Sequence, residues 1–416
     1  MSSSNLSRIE NLDRADRRLT EYFDRDELRR FVLEGMVGRG AWGVAWKIKY
    51  RPSGNAGAPE ADADPETRRL ILKTNKVPLL LYDDESLREM EVGGEADNTS
   101  SPDSGIPTEQ KWLAILRYAK HIVRLEEPPD DPLQRLHAGL IRRLSSDDYI
   151  FLEYVENGEL LQFLLRCRNA GLQRLPNRML WRFFMCLVRL CIGLAWPPPK
   201  PDGSTDAVLE RAGYGPPNRL VHGDLHDCNV MIGPLINDPE EIEHDLTPIL
   251  KIIDFGAASE ETGMSAIQAN ALTENLFDIA RIMAELATLD MGIFFALNSH
   301  QSDTTQLRLR PNGPLIASVG SGMLPGENGV EPYPGLDPTL RNLICACLAK
   351  DRSNRPRLQS LANLVMSAIR DRDEGFYVQR GDTSGFESDK SIRDIVQKYI
   401  LDAGIDGSSE MFSDVL

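Results

Sequence analysis

The sequence predicts an α+β fold, a small strand-rich part followed by a larger helix-rich part. Three observations carry this. Short apolar or alternating segments fill the first third, at 31–50, 69–77, 121–125 and 149–154. Longer segments with apolar residues at helical spacing fill the rest, at 158–165, 177–194, 274–288, 336–348 and 357–370. No internal repeat divides the chain, so the two parts read as lobes of one domain rather than independent domains.

Taken in order, residues 1–30 are charged. Leu6, Ile9, Leu12, Leu19, Tyr22, Phe23 and Leu28 are spaced as on a helix, which predicts an N-terminal helical extension. The 31–50 segment runs around Gly38-Arg39-Gly40-Ala41-Trp42-Gly43. Pro, Gly, Ala and Asp at 52–66 predict a surface loop, and the next strand carries Leu70-Ile71-Leu72-Lys73. A helix is expected at 85–92, a Gly/Ser-rich insertion at 93–107, and a helix at 109–118 with Leu113 and Leu116 on one face.

A loop at 128–148 separates the strands at 121–125 and 149–154. The apolar run at 180–196 carries Arg182 and Arg189 and is too short and too charged to span a bilayer, so it predicts a buried helix. Further insertions follow at 197–218, rich in Pro and Gly, and at 233–247, an acidic loop. The 298–330 stretch is polar and shows no clear period. The tail, 371–416, holds one amphipathic segment at 392–401.

Composition narrows the function. The chain has 416 residues, 41% of them apolar, and a net charge of -16, so it lacks the basic field a nucleic-acid binder needs to neutralise phosphates. The six cysteines are scattered and form no C-x-x-C pair, which predicts reduced, buried thiols. The polar start, Met1-Ser-Ser-Ser-Asn5, has no apolar signal core. The expected setting is cytoplasmic or nuclear, not secreted and without a membrane partner.

Two stretches carry the chemistry. Residues 221–231 read V-H-G-D-L-H-D-C-N-V-M and residues 252–256 read I-I-D-F-G. Phosphoryl transfer from ATP needs one carboxylate to accept the acceptor hydroxyl's proton and two oxygen ligands for magnesium. Asp224, Asn229 and Asp254 are the residue types for those tasks. Upstream, Gly38, Gly40 and Gly43 allow backbone N–H groups to approach phosphate oxygens, although tight hairpins also use glycines. Lys73 stands about thirty residues further on.

Together these motifs resemble the protein kinases, over roughly residues 31–370. The resemblance implies a bilobal fold with a small β-rich N-lobe, 31–155, and a larger α-helical C-lobe, 156–370. It assigns Asp224 as the catalytic base, Asn229 and Asp254 as Mg²⁺ ligands, and Lys73 as the partner of the ATP phosphates, fixed by a helical carboxylate. Glu109 fits that carboxylate best, because 109–125 is similar to the kinase segment leading from that helix, while Glu89 and Glu91 remain rivals. The segment Tyr149-Ile-Phe-Leu-Glu-Tyr-Val-Glu-Asn-Gly-Glu-Leu160 resembles the kinase hinge. It implies Leu152 as gatekeeper, backbone of Glu153 and Val155 on the adenine edge, and Glu159 near the ribose. Ala45 and Ile71 stand where the family has valine and alanine in the adenine roof, a swap that keeps total volume, and Met231 would form the floor.

Departures are as clear. The family's H-R-D is His222-Gly223-Asp224, so no arginine receives a phosphorylated activation loop. His226 occupies the place of a γ-phosphate lysine, with its role open, and His222 reads as structural. Asp278 is similar to the buried aspartate that anchors the catalytic loop, yet no A-P-E precedes it. Arg355 matches the late family arginine, and Glu274 could replace its missing partner. The function implied is transfer of the γ-phosphate of Mg-ATP to a hydroxyl, of protein serine or threonine in the first reading. H-G-D-L-H also resembles small-molecule kinases of the aminoglycoside and choline kinase type, and an ATP-binding pseudokinase is the third reading.

Overall fold

The computed structural model describes residues 17, 19–21, 23–24, 30–40, 43–52, 67–74, 105–129, 131, 133, 147–203, 206–261, 268–293, 306–308, 315–325 and 329–403. The expected helix at 85–92, with Glu89 and Glu91, lies outside them, as does the 52–66 loop beyond Pro52. The described chain is mixed α+β, an antiparallel sheet first and helices later. It divides into two compact units. The first comprises Met1–Arg117, Val123–Tyr154 and Asp254–Ala258; the second Tyr118–Ile122, Val155–Ile253 and Ser259–Leu416.

The first unit is built on five antiparallel strands, β1 (Phe31–Gly40), β2 (Gly43–Tyr50), β3 (Arg68–Thr74), β4 (Leu125–Glu126) and β5 (Tyr149–Glu153), in the order β1-β2-β3-β5-β4. One helix, α1 (Ile106–Ile115), precedes β4. Alternation fixes the register. Val44, Trp46, Ile48, Leu70, Leu72, Tyr149 and Phe151 turn to one face and form a core with Leu19 and Phe23. Leu19 and Phe23 are four apart, one helical turn, so the N-terminal segment seals this face. The opposite face carries Ala45 beside Lys73 and Ile150, and Lys47 beside Ile71 and Leu152. β1 accommodates the two bulges at Leu33/Gly35 and Met36/Gly38.

α1 begins inside the stretch expected to be an insertion. Gly105, at φ 93°, turns the chain in, and Pro107 sits in the first turn, where no intrahelical N–H is required. Of the expected 121–125 strand only Leu125 joins the sheet, together with Glu126 just beyond it. His121 and Ile122 belong to the second unit, where Ile122 bridges Ile252.

In the second unit, helix α2 (Leu160–Asn169) is followed by α3 (Asn177–Ala195), which matches the expected 177–194 helix. Every residue of α3 is buried, because the helices Gln268–Thr288 and Leu358–Asp371 and the strand Leu250–Ile252 cover it. Its arginines are tolerated there because each is paired: Arg182 with Asp245 and Arg189 with Glu243. The pairs β6 (Leu220–Val221) with β9 (Ser259–Glu260), and β7 (Val230–Ile232) with β8 (Leu250–Ile252), flank the motif stretches. Helix α4 (Gln268–Thr288), strands β10 (Gln306–Arg308) and β11 (Leu315–Ala317), and helices α5 (Pro338–Cys347) and α6 (Leu358–Asp371) complete the body.

The tail is tied down. After α7 (Glu374–Val378), Glu387 accepts the backbone N–H groups of Asn177 at 2.9 Å and Arg178 at 3.1 Å. A carboxylate thus satisfies the first orphan donors of α3 from more than two hundred residues away in sequence. α8 (Asp389–Val396) continues into a π-turn, Gln397–Leu401, and buries Ile392, Val396 and Ile400. Glu387→Ala is expected to lower stability by about 1.5–3 kcal/mol, the worth of a charged hydrogen-bonding group, measured by urea unfolding.

Candidate functional site

The first unit brings together three of the expected residues. Lys73 Nζ, on β3, donates to Glu109 Oε2 at 2.6 Å and to Asp254 Oδ1 at 2.8 Å. Glu109 stands on the first turn of α1 and is fully buried. Burial alone would lower the Lys73 pKa, but the Glu109 and Asp254 carboxylates outweigh it and hold the ammonium above its ordinary value. Burial pushes Glu109 upward, with Asp254 adding to it and Lys73 opposing. At 2.6 Å from a strongly basic ammonium, the pair is ionic at neutral pH.

α1 is also fastened to the Asp254-Phe255-Gly256 segment through its backbone. Gly105 N–H donates to Gly256 O at 3.0 Å, and Trp112 Nε1 donates to Ala258 O at 3.2 Å. Asp254 itself adopts φ 64°, a left-handed conformation that aspartate tolerates better than most residues, and Gly256 N–H donates to its Oδ1 at 3.3 Å. That bond and the Lys73 bond both fall on Oδ1.

The glycines close the β1–β2 hairpin, with Gly40 opposite Gly43 and Gly38 opposite Ala45. Gly43 has φ 149°, and a Cβ at Gly38 would meet nothing within 4 Å. Ala41 and Trp42, at the tip, lie outside the described residues. Ala45, Ile71 and Leu152 share the Lys73 face, and Leu152 is buried. Glu153 is fixed by its own strand end: its N–H donates to Arg124 O at 3.0 Å and its Oε1 accepts Arg124 N–H at 2.8 Å.

The second unit holds the other set, between β6 and β7. Asn229 Nδ2 donates to the Asp224 carbonyl at 2.7 Å and lies 3.2 Å from Asp224 Oδ2. The amide nitrogen is therefore an anchor for this loop. Ile253 N–H donates to Asn229 O at 3.0 Å, which ties this loop to the chain entering the second motif.

His222 is structural, as its bonds fix the tautomer. Its Nε2 faces Ile253 O at 3.1 Å and so carries the proton, while Nδ1 accepts Asp224 N–H at 3.3 Å. Gly223, at φ 81°, makes the turn that leaves Asp224 part-exposed.

His226 lies beside Asp224, with Nε2 3.4 Å from Oδ1. Asp227 first, with Cys228 and Asp224 adding to it against the effect of burial, pushes His226 up to about 10. The Cys228 N–H is aimed at Nδ1 at 3.3 Å, and the Asn229 Nδ2 amide lies 3.2 Å from Nε2. Glu159, at the start of α2, bridges Met231 through the backbone, and burial followed by Asp227 raises its pKa.

Two expectations are corrected. Asn275, not Asp278, anchors the loop: its Oδ1 accepts His222 N–H at 3.1 Å and its Nδ2 donates to Leu220 O at 2.8 Å. A carboxamide can serve both a donor and an acceptor, which a carboxylate cannot. Asp278 lies one helical turn on, with Arg281 beside it at 3.8 Å, and burial pushes it up to about 6. Glu274 pairs with Arg352 rather than Arg355. Arg355 donates to Thr273 O at 2.7 Å and Ala349 O at 3.1 Å and lies over the Phe277 ring.

Sequence reasoning also missed Glu285 on α4, which reads as one polar position in an apolar helix. Burial, with Asp227 adding to it, pushes it up to about 8. Asn275→Ala would strand His222 N–H and Leu220 C=O, two buried groups at roughly 1–3 kcal/mol each, and is expected to lower the unfolding midpoint accordingly.

No family model matches the chain, and none of the curated proteins matches it.

Proposed function

We propose that the protein is a Mg-ATP-dependent phosphotransferase of the protein kinase type, bilobal in layout, acting on a serine or threonine hydroxyl. The observation that carries this is Lys73 Nζ bonded at once to Glu109 and Asp254, residues 36 and 181 positions away. A solvated strand lysine has no reason to be held this way. Asp254 and Asn229 each offer a side-chain oxygen of the kind a hard divalent cation takes.

In this reading Lys73 positions the phosphates, and Gly38, Gly40 and Gly43 let backbone N–H groups reach them. Ala45, Ile71 and Leu152 supply an apolar wall for the adenine, and the kinase resemblance gives Met231 the role of floor. The backbone of Glu153 and Val155 reads the adenine edge, and Glu159 reaches the ribose. Bound Mg²⁺ would neutralise charge on the β- and γ-phosphates. Asp224 orients the acceptor hydroxyl and takes its proton, with His226 Nε2 holding the carboxylate's other side.

Calorimetric titration with ATP, with and without Mg²⁺, followed by a radiometric transfer assay on peptides, amino-sugars and amino-alcohols, tests the reading. Mg-dependent ATP binding with peptide phosphorylation supports it. Transfer to the small amines only makes it a small-molecule kinase. ATP binding without any transfer makes it a pseudokinase, and no ATP binding overturns the nucleotide site itself.

A further inference from the structure

We propose that His121, Cys186 and His244, in the second unit and apart from the residues above, bind one structural zinc ion. The three donors come from separate places: the turn before Ile122, the middle of α3, and the last residue of a 3-10 turn, Ile242–His244. All are buried, at 0%, 1% and 0% exposure. Their ligand atoms lie within 4.8 Å of one another.

The spacing fits a tetrahedral ion. Zn–N bonds of about 2.0–2.1 Å and a Zn–S bond of about 2.3 Å set tetrahedral edges of roughly 3.3 Å between two nitrogens and 3.6 Å between nitrogen and sulfur. His121 Nε2 and His244 Nε2 are 3.2 Å apart, and Cys186 Sγ is 3.4 Å from His244 Nε2.

The second observation is what the other ring nitrogens do. His121 Nδ1 meets Glu210 Oε2 at 2.7 Å, and His244 Nδ1 meets Glu241 Oε2 at 3.0 Å. Each carboxylate holds a proton on Nδ1, so both Nε2 lone pairs point at each other. Two lone pairs cannot face at 3.2 Å without a cation or a proton between them. A carboxylate behind each ligating histidine is how proteins orient imidazoles toward zinc. Those carboxylates are themselves held: Glu210 accepts His121 N–H at 2.7 Å, and Lys120 pairs with Glu241. Burial pushes the Cys186 thiol well above its ordinary value, and the Leu250 backbone bond opposes that only in part.

Charge balance agrees. Glu210, Glu241 and Glu243 outnumber Lys120 and Arg189 by one, and a zinc ion with one thiolate restores neutrality. A single proton shared by the two imidazoles would do the same, so the experiment must separate metal from proton. Two nitrogens and one thiolate form a borderline-soft set that suits zinc over magnesium or calcium. With every ligand buried, the ion would hold α3 to the 118–122 and 242–244 segments rather than meet a substrate.

The test uses the full chain. The chain is purified without chelator, its metal content is measured by mass spectrometry, and the chelator-stripped, reduced protein is then titrated with Co²⁺. The expected result is one Co²⁺ per chain, with visible d–d bands and a near-ultraviolet sulfur-to-cobalt band, all displaced by zinc. The melting temperature should fall on stripping and recover with zinc. Cys186→Ala should abolish the sulfur band while Cys167→Ala keeps it, and Glu241→Gln should weaken zinc binding about 10–100-fold. Stripped wild-type chain that takes up no Co²⁺ and gains no stability from zinc, or a sulfur band that survives Cys186→Ala, overturns the site and leaves the shared proton.

Discussion

Replacing Asp224 by alanine is expected to lower phosphoryl transfer about 10²–10⁴-fold, the range for a general base, and to leave ATP affinity unchanged. The geometry separates the two effects. Asn229 Nδ2 is anchored on the Asp224 main-chain carbonyl at 2.7 Å, an atom the substitution leaves in place. The Asn229 side chain, a proposed ligand, therefore keeps its orientation. His222 keeps its bond to the Asp224 N–H for the same reason. Only the carboxylate is lost, together with its partner role toward His226 Nε2. Single-turnover transfer and calorimetric ATP binding on the variant measure both quantities. Retained turnover would remove Asp224 as the base.

Lys73→Met is expected to destabilise the protein by about 3–5 kcal/mol as well as to abolish productive ATP binding. The variant leaves Glu109 buried without its cation, and breaking one side of a buried pair costs that much. The loss has a pH signature. Without Lys73, burial holds the folded Glu109 pKa above its ordinary value of 4.5. A group with a raised folded pKa favours the folded state below its unfolded pKa and loses that contribution as pH rises through the folded one. The variant's deficit is therefore smallest in mild acid and grows toward neutrality. In the parent chain Lys73 is raised as well as Glu109, so the Lys73 contribution is fully present below 10.5 and fades only above it. Urea unfolding of both proteins at pH 5 and pH 8 reads the difference, and a variant whose deficit shrinks with pH would contradict the ion pair.

Much of the candidate site was legible because it depends on local chemistry. The choice of Glu109 over its rivals rests on the resemblance of 109–125 to a kinase segment, and the structure brings Glu109 to Lys73. Glu89 and Glu91 lie outside the described residues. The face shared by Ala45, Ile71 and Lys73 followed from strand alternation. Asn275 was missed because three helical positions separate it from Asp278, and a motif fixes the helix better than the turn. The 233–247 stretch reads as an acidic loop, yet Glu241, Glu243 and His244 are buried there. Their cations, Lys120 and Arg189, are more than fifty positions distant, beyond any local pattern.

The tail shows the same limit. Its amphipathic segment was visible, but that Glu387 caps α3 was not, since a helix N-terminus does not announce which distant carboxylate will meet it. The sequence by itself determined the main strands of the first third, the long helices after them and the buried character of α3, because periodicity and side-chain chemistry are properties of neighbours along the chain. Only the tertiary structure decided which charges are paired, which amide anchors the His222–Asn229 loop and that His121, Cys186 and His244 meet, because burial sets the cost of each polar group and its partner can come from anywhere in the fold.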